Sequence, residues 1–199
     1  EAGPVEEKLN QNYPERAVIL FAANRGTCIM NQKAREVYGF TPEECYPEAY
    51  HKIMREYLND RAFIEPEFQD YMKLMNSRGV TTVKEMGFDD FYGFTDFLKE
   101  QEEKDSLTLR FFFMSQPVGE GANIEYGRQM TEKFTGDFVR FSGYNRMTDG
   151  TVASTRGDLL EPYEGTDSCC GMEIDYPLIE KELMEVDKNG FRYSLHAQG

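Results

Sequence analysis

The sequence has 199 residues and a formal net charge of −14, with 36 acidic against 22 basic side chains. Hydrophobic residues make up 40% and aromatic residues 14% of it, which is enough to bury a core and excludes a disordered chain. Because an acidic surface repels phosphate groups and anionic lipid, we expect neither nucleic acid nor a membrane among the partners. No apolar run is long enough to span a bilayer, and the cytoplasm is the default location. The four cysteines form no C-x-x-C pair, which argues against a structural zinc ribbon or finger.

Hydrophobic patterns and glycine stops predict strands and helices that alternate along the chain. Phe68, Met72 and Met75 recur at helical spacing before Gly79, and the β-branched run 80–87 that follows is typical of a buried strand. The predicted strands are 17–23, 80–87, 107–115, 144–150 and 192–197. The predicted helices are 31–39, 42–61, 66–79, 91–105, 124–134 and 176–190.

Short strands separated by helices predict an α/β fold in which βα units build a mainly parallel sheet. The connection 151–175 is the exception, because its roughly 25 residues far exceed the few that βα connections usually need. Long loops at the carboxyl ends of parallel strands often carry function in such folds, so this loop is a candidate functional segment. The alternative is a surface excursion without a role.

Two segments carry a resemblance to a known family. The segment YNRMTDGTVASTRGDLLEPYEG (144–165), followed by SLHAQG (194–199), resembles the metal-dependent amidohydrolase superfamily. It is most similar to the amidohydrolase family 3 subgroup, which includes N-substituted formamide deformylases and exoenzyme regulatory proteins. AVILFAANRGTCIMNQKARE (17–36) and LMNSRGVTTVKEMG (74–87) resemble earlier motifs of the same subgroup more loosely.

The resemblance implies a TIM-type (β/α) barrel that binds one or two divalent metal ions, usually zinc, at the carboxyl ends of its strands. It implies hydrolysis of non-peptide carbon–nitrogen bonds of amide or formamide type by a metal-bound hydroxide. His196 matches the H-A-x-G histidine and is the expected metal ligand. The family's other histidines and its late aspartate have no counterpart between Glu1 and Gly199. We therefore predict that residues 1–199 are an internal fragment of such a barrel domain, inactive in isolation.

The ligand set that the resemblance implies departs from the family at one further position. The family's ligand lysine falls on Asn145, whose neutral amide cannot form a carbamate and is a poor zinc ligand. Arg146 should point to the opposite face of the strand and cannot replace it. Glu85, near the end of the strand 80–87, is a candidate carboxylate ligand, with a solvated glutamate as the alternative. Asn145 also supports a competing hypothesis, a non-catalytic barrel that binds a small molecule or a partner as a regulator.

Candidate contacts for a small amide-type substrate lie at the end of the strand 144–150 and in the loop that follows it. They are Asp149, for which a turn former or a supporting acid is the alternative, and Thr155 and Arg156 in the long loop. A partial barrel also exposes two sheet edges, and exposed edges pair readily with other chains. We therefore expect either a homo-oligomer that forms through these edges or edges that are closed by flanking helices.

Overall fold

The computed structural model of this chain describes residues 3–21, 28–39, 50–87, 93–117, 121–169 and 174–199. It divides into two compact units, Glu1–Glu67 with Phe91–Phe94, and Phe68–Asp90 with Thr95–Gly199. The helices are α1 Gly3–Asn12, α2 Gln32–Tyr38, α3 Tyr50–Asn59, α4 Arg61–Ser77, α5 Phe94–Glu103, α6 Ile124–Lys133 and α7 Tyr176–Lys188. The strands are β1 Ile19–Phe21, β2 Cys28–Met30, β3 Thr82–Glu85, β4 Arg110–Ser115, β5 Val139–Met147 and β6 Tyr193–His196. The assignment of 1–199 to one barrel domain stays a prediction.

The first unit contains a two-stranded antiparallel sheet made of β1 and β2. The prediction that the strand over 17–23 joins the parallel sheet is therefore wrong. The physical reason is the short connection between β1 and β2, since a parallel pair needs a crossover of a dozen or more residues. Residues 22 and 23 of the predicted strand lie outside the described residues.

Asn31 organises the start of α2 in this unit. Its side-chain oxygen accepts hydrogen bonds from the backbone N–H groups of Val18 and Ala34, each at 3.0 Å. Its side-chain nitrogen donates to the carbonyl oxygens of Tyr13 and Arg16 at 2.8 and 2.7 Å. Asn31 is fully buried, and all of these polar groups are satisfied. The asparagine of the segment NQKARE is therefore a helix N-cap that also fixes the preceding chain.

The second unit is built on a curled parallel sheet of four strands in the order β3-β4-β5-β6. This sheet forms a half-barrel, which confirms the predicted α/β fold with a partial TIM-type barrel. Helices α5, α6 and α7 each connect one strand to the next. Such βα repetition brings the carboxyl ends of all four strands to one edge of the sheet, where barrels of this kind place their sites.

Aromatic side chains fill the layer between the sheet and its helices. The ring of Phe68 on α4 lies 5.1 Å from that of Phe97 on α5 and 5.2 Å from that of Phe111 on β4. Phe113, two residues along β4, contacts Phe134 at 5.7 Å. Burial of each such ring contributes about 1.5–3 kcal/mol, so this face of the sheet is held mainly by hydrophobic packing. The alternate residues of β4 face the other side of the sheet.

A bulge in β5 decides which side chains face the inside of the half-barrel. Phe113 pairs with Phe141, but Ser115 pairs with Tyr144, so β5 has one extra residue at this point. Gly143 occupies the bulge with φ +117°, and a side chain there would lie 2.1 Å from the carbonyl oxygen of Arg192. The shift by one residue puts Phe141 and Tyr144 on the same face and therefore turns the following residue, 145, to the other face.

Most predicted elements appear with shifted ends. The helix predicted over 66–79 begins at Arg61, because the side chain of Asp60 accepts a hydrogen bond from the N–H of Phe63 at 3.2 Å. The strand predicted over 144–150 begins at Val139, ahead of the bulge, and ends at Met147. Residues 42–49 of the helix predicted over 42–61 lie outside the described residues. The same holds for three later stretches, 88–92, 118–120 and 170–173. Within the described ranges, no helix has the length and apolar character to cross a membrane.

Candidate functional site

The carboxyl ends of β5 and β6 bring the main candidate residues together. In the parallel register of these strands, Asn145 pairs with Ser194 and Met147 pairs with His196. Because residues two apart on a strand share a face, His196 lies on the same face of the sheet as Ser194 and Asn145. His196 is half-buried, and its carbonyl oxygen accepts hydrogen bonds from the N–H and the hydroxyl of Thr148 at 3.0 and 2.9 Å.

Asn145 is buried inside the half-barrel and is only 3% exposed. Its amide oxygen accepts a hydrogen bond of 2.7 Å from the hydroxyl of Ser194. The same hydroxyl lies 3.6 Å from the sulfur of Met114 on β4. The amide oxygen of Asn145 is therefore both neutral and already engaged, which makes it a weak candidate for metal coordination.

Arg146 lies on the opposite face of β5, as predicted, and forms a buried ion pair with Glu182 on α7. Its Nε and Nη2 atoms donate to the two carboxylate oxygens of Glu182 at 2.5 and 2.7 Å. The hydroxyl of Tyr193 also donates a hydrogen bond to this carboxylate. The hydrogen bond with Glu182 raises the pKa of Arg146, while burial and then Glu182 raise the pKa of Tyr193. This bidentate group fixes α7 to β5 and β6 on the helix side of the sheet.

Asp149 follows β5 and is 1% exposed. Its Oδ2 atom accepts hydrogen bonds from the backbone N–H groups of Gly199 at 2.7 Å and of Asp158 at 3.1 Å. Its Oδ1 atom accepts from the backbone N–H of Gln198 at 2.9 Å. The N–H groups of Gly199 and then Asp158 stabilise the carboxylate and lower the pKa of Asp149. Both carboxylate oxygens are thus engaged with the protein's own backbone.

The other two candidates for substrate contact lie in the loop that follows. Thr155 adopts a left-handed conformation with φ +54° at the end of a single 3-10 turn, Val152–Ser154, and its side chain is exposed. The side chain of Arg156 is also exposed, while its carbonyl oxygen accepts a hydrogen bond of 2.8 Å from the N–H of Gly150. A non-glycine residue in this conformation costs energy, and such residues concentrate at functional sites. The substrate contacts of Asp149, Thr155 and Arg156 stay predictions.

Glu85 lies apart from this group, at the end of β3, with β4 between it and β5. It is exposed, and its carboxylate accepts a hydrogen bond of 3.2 Å from the N–H of Gly87. It is in register with Phe113, whose ring packs on the helix side of the sheet. The structure therefore does not bring Glu85 together with His196, and its role as a ligand stays a prediction.

The donor atoms at this edge do not by themselves complete a divalent metal site. His196 offers an imidazole, but the oxygens of Asn145 and Asp149 are held by other groups. Over the described parts of the chain, no group of three or more His, Cys, Asp or Glu side chains is arranged to hold a metal ion. Any metal bound here would need ligands from other residues in addition to His196.

Several residues that shape this region carry no signal in the sequence motifs. Ser194 is polar and two residues before His196, which places it on the same face, and this spacing is the one clue that could have identified it. Glu182 lies among several acidic residues of α7 and cannot be singled out before the fold is known. Gln198 and Asp158 bind the Asp149 carboxylate through their backbone N–H groups, which any residue except proline supplies.

The half-barrel places the chain in the structural class of (β/α) barrels, and solved structures resemble it. An uncharacterized metal-dependent hydrolase from Pyrococcus horikoshii OT3 matches with a TM-score of 0.67 and 17% sequence identity. A second uncharacterized metal-dependent hydrolase, from Pyrococcus furiosus, matches with a TM-score of 0.66 and 18% identity. Each alignment covers 98% of this chain but only 41% and 42% of the respective neighbour. No protein-family model and no curated protein matches the sequence.

Proposed function

We propose that this chain contributes half of the catalytic barrel of a metal-dependent hydrolase that cleaves non-peptide carbon–nitrogen bonds of amide or formamide type. The observation that carries the proposal is the position of His196. It lies at the carboxyl end of β6, on the same face as Asn145 of β5, in a half-barrel whose fold resembles metal-dependent hydrolases. The amide-type substrate class rests on the resemblance of 144–165 and 194–199 to the amidohydrolase family 3 subgroup.

In this proposal, zinc or another divalent ion is the cofactor of the intact protein and His196 is one of its ligands. Neutral imidazole is a common zinc ligand, and its location at a strand end is where barrels of this class place their metals. The remaining ligands come from residues outside those described or outside this chain. For the same reason, the 199-residue chain alone is inactive in this proposal.

Thr155 and Arg156 are the proposed contacts for the substrate. Both follow the carboxyl end of β5, and both have side chains exposed to solvent. A guanidinium group binds carboxylates and other anionic groups well, so Arg156 favours substrates with an acidic substituent.

The second candidate function is a non-catalytic barrel that binds a small molecule or a regulatory partner. The buried hydrogen bond between Ser194 and Asn145 favours this candidate. The resemblance places a ligand lysine at position 145, whereas the side chain of Asn145 joins β5 to β6. This candidate predicts stabilisation by a ligand without turnover, and a melting temperature that does not change when a chelator is added.

The test is hydrolysis of an N-substituted formamide by the full-length natural polypeptide, measured as formate release with and without a chelator. We expect activity that the chelator abolishes and added zinc restores. The His196→Ala variant should lose both activity and bound zinc. His51→Ala is the matched control, since His51 is the other of the two histidines and belongs to the other compact unit. Binding of the formamide without hydrolysis, in a protein indifferent to the chelator, would support the second candidate instead.

A further inference from the structure

We propose that Asp149 is a positioning residue that holds the end of β6, and with it His196, in place. The Asp149 carboxylate together with the backbone N–H groups of Asp158, Gln198 and Gly199 forms what we call the strand-end clasp. The clasp joins three separate stretches of chain: the end of β5, the turn after it, and the end of β6.

The geometry of the clasp is that of a carboxylate surrounded by backbone donors. Gly199, Gln198 and Asp158 donate to it at 2.7, 2.9 and 3.1 Å. Asp149 as a residue is only 1% exposed. Hydrogen bonds to an ionised carboxylate are roughly twice as strong as those between neutral groups. The lowered pKa of Asp149 agrees with this arrangement.

Two glycines make the close approach of the backbones feasible. A side chain at Gly199 would lie 2.2 Å from the carbonyl oxygen of Asp158, and one at Gly150 would lie 2.4 Å from the Cβ atom of Arg156. Both distances are shorter than any contact that packed carbon atoms accept. The glycines of the D-G and H-A-x-G motifs are therefore needed so that the turn and the end of β6 can meet at Asp149.

The clasp lies next to His196 along the chain. The residues that donate to Asp149 begin two positions after His196, and the carbonyl of His196 itself is held by Thr148, the neighbour of Asp149. The backbone of His196 is therefore fixed on both sides by residues at the end of β5. A metal ligand such as His196 needs such support, because the side chains that bind a metal must be held within a fraction of an ångström of the right geometry. The role of this support in metal binding rests on the proposed function, whereas the clasp itself does not.

The test is nuclear magnetic resonance of the 199-residue chain near neutral pH, with Asp149→Asn as the variant. In the wild-type protein we expect the amide hydrogens of Asp158, Gln198 and Gly199 to be protected from exchange with solvent. In Asp149→Asn we expect them to exchange faster by roughly tenfold or more, because the charged acceptor is lost and an N–H group faces the donors. Asp158→Asn is the matched control, since it changes an acidic side chain near the clasp but keeps the backbone N–H that the clasp uses.

The second readout follows the imidazole rings, of which the chain has two. We expect the ring signal of His196 to move in Asp149→Asn and to stay in Asp158→Asn, while the signal of His51 stays in both. A general loosening of the fold would move more than the His196 signal. If the three amide hydrogens exchange faster in Asp149→Asn while the ring signal of His196 does not move, the positioning role is contradicted. Asp149 would then stabilise only the local backbone.

Wild-type amides of Gln198 and Gly199 that exchange as fast as those of an unfolded chain would overturn the proposal even if the variant does not fold. The outcome is independent of catalysis. A full-length protein without metal or activity would defeat the proposed function and leave these measurements unaffected.

Discussion

The hydroxyl of Ser194 donates a 2.7 Å hydrogen bond to the side-chain oxygen of Asn145, and this bond links β6 to β5 inside the half-barrel. The two residues are direct neighbours in the register of the parallel strands. Asn145 is the residue that the family resemblance predicts at the position of the ligand lysine. The side chain at this position is therefore committed to a partner on the next strand.

Removal of this partner should destabilise the protein. In Ser194→Ala the buried oxygen of Asn145 loses its donor, and we expect the free energy of unfolding to fall by about 1–3 kcal/mol. The measurement is urea unfolding followed by circular dichroism. Ser154→Ala, in the exposed turn after β5, is the control and should change the free energy by less than about 0.5 kcal/mol. Equal effects of the two substitutions would mean that the Ser194 hydroxyl does not satisfy Asn145.

The ion pair between Arg146 and Glu182 should be the most sensitive polar contact on the helix side of the sheet. Their side chains are 14% and 2% exposed. In Glu182→Gln a buried guanidinium is left without its counter-charge, so we expect a loss of about 3–5 kcal/mol in the free energy of unfolding.

The control for this pair is Asp70→Asn, which breaks the ion pair of Asp70 with Lys73. Both of those side chains are more than 70% exposed, so we expect a loss below about 1 kcal/mol. Urea unfolding measures both variants. If Glu182→Gln costs no more than Asp70→Asn, the buried pair does not hold α7 to the sheet.

The carboxylate of Asp149 should make stability depend on pH in the acid range. Its pKa is lowered in the folded protein, so it stabilises the fold at pH values above the ordinary pKa of aspartate, about 3.9, and this stabilisation is lost as the pH falls below it. We therefore expect the melting temperature of the wild type to exceed that of Asp149→Asn near neutral pH, and the difference to shrink below about pH 4. A difference that stays constant from pH 7 to pH 3 would exclude a stabilising charge at Asp149.

The edges of the half-barrel should drive self-association of the 199-residue chain. Among the described residues, β3 and β6 each have a partner strand on one side only, and Leu195 of β6 is 49% exposed. We expect sedimentation velocity to show dimers or larger species that increase with concentration. Leu195→Lys should reduce them, because a charge on an edge strand opposes pairing, whereas Leu160→Lys in the exposed loop should not. A monomer of the wild type at the highest concentrations would contradict this proposal.

Local patterns were sufficient to predict the α/β fold with a mainly parallel sheet, whereas the partial barrel was predicted from the family resemblance. The helical spacing of Phe68 and Met72 and the β-branched run at 80–87 depend on neighbours in the sequence, and both appear in the structure as α4 and β3. The prediction that this strand is buried is wrong, because among the described residues β3 is an edge strand and only its Val83 is partly buried. The antiparallel hairpin was missed because β2 is only three residues long, Cys28–Met30, and shows no alternation that could reveal it. The early start of β5 was missed because the bulge at Gly143 interrupts its period of two.

The candidate site could be predicted only in part. The chemistry of His196 and its location at a strand end follow from its motif, and the alternation of side chains correctly places Arg146 opposite Asn145. The partners of these residues are distant in sequence, however. Glu182 is 36 positions from Arg146, and Gly199 is 50 positions from Asp149. Contacts over such separations depend on strand register, which motifs do not encode.

His196 is, in our proposal, a ligand of a metal in a hydrolase barrel. The most direct test is elemental analysis of the full-length natural polypeptide after extensive dialysis, compared with its His196→Ala and His51→Ala variants. We predict at least one equivalent of zinc or another divalent metal in the wild type and in His51→Ala, and a clear loss in His196→Ala. A folded wild-type protein without bound metal, or an unchanged metal content in His196→Ala, would contradict the claim.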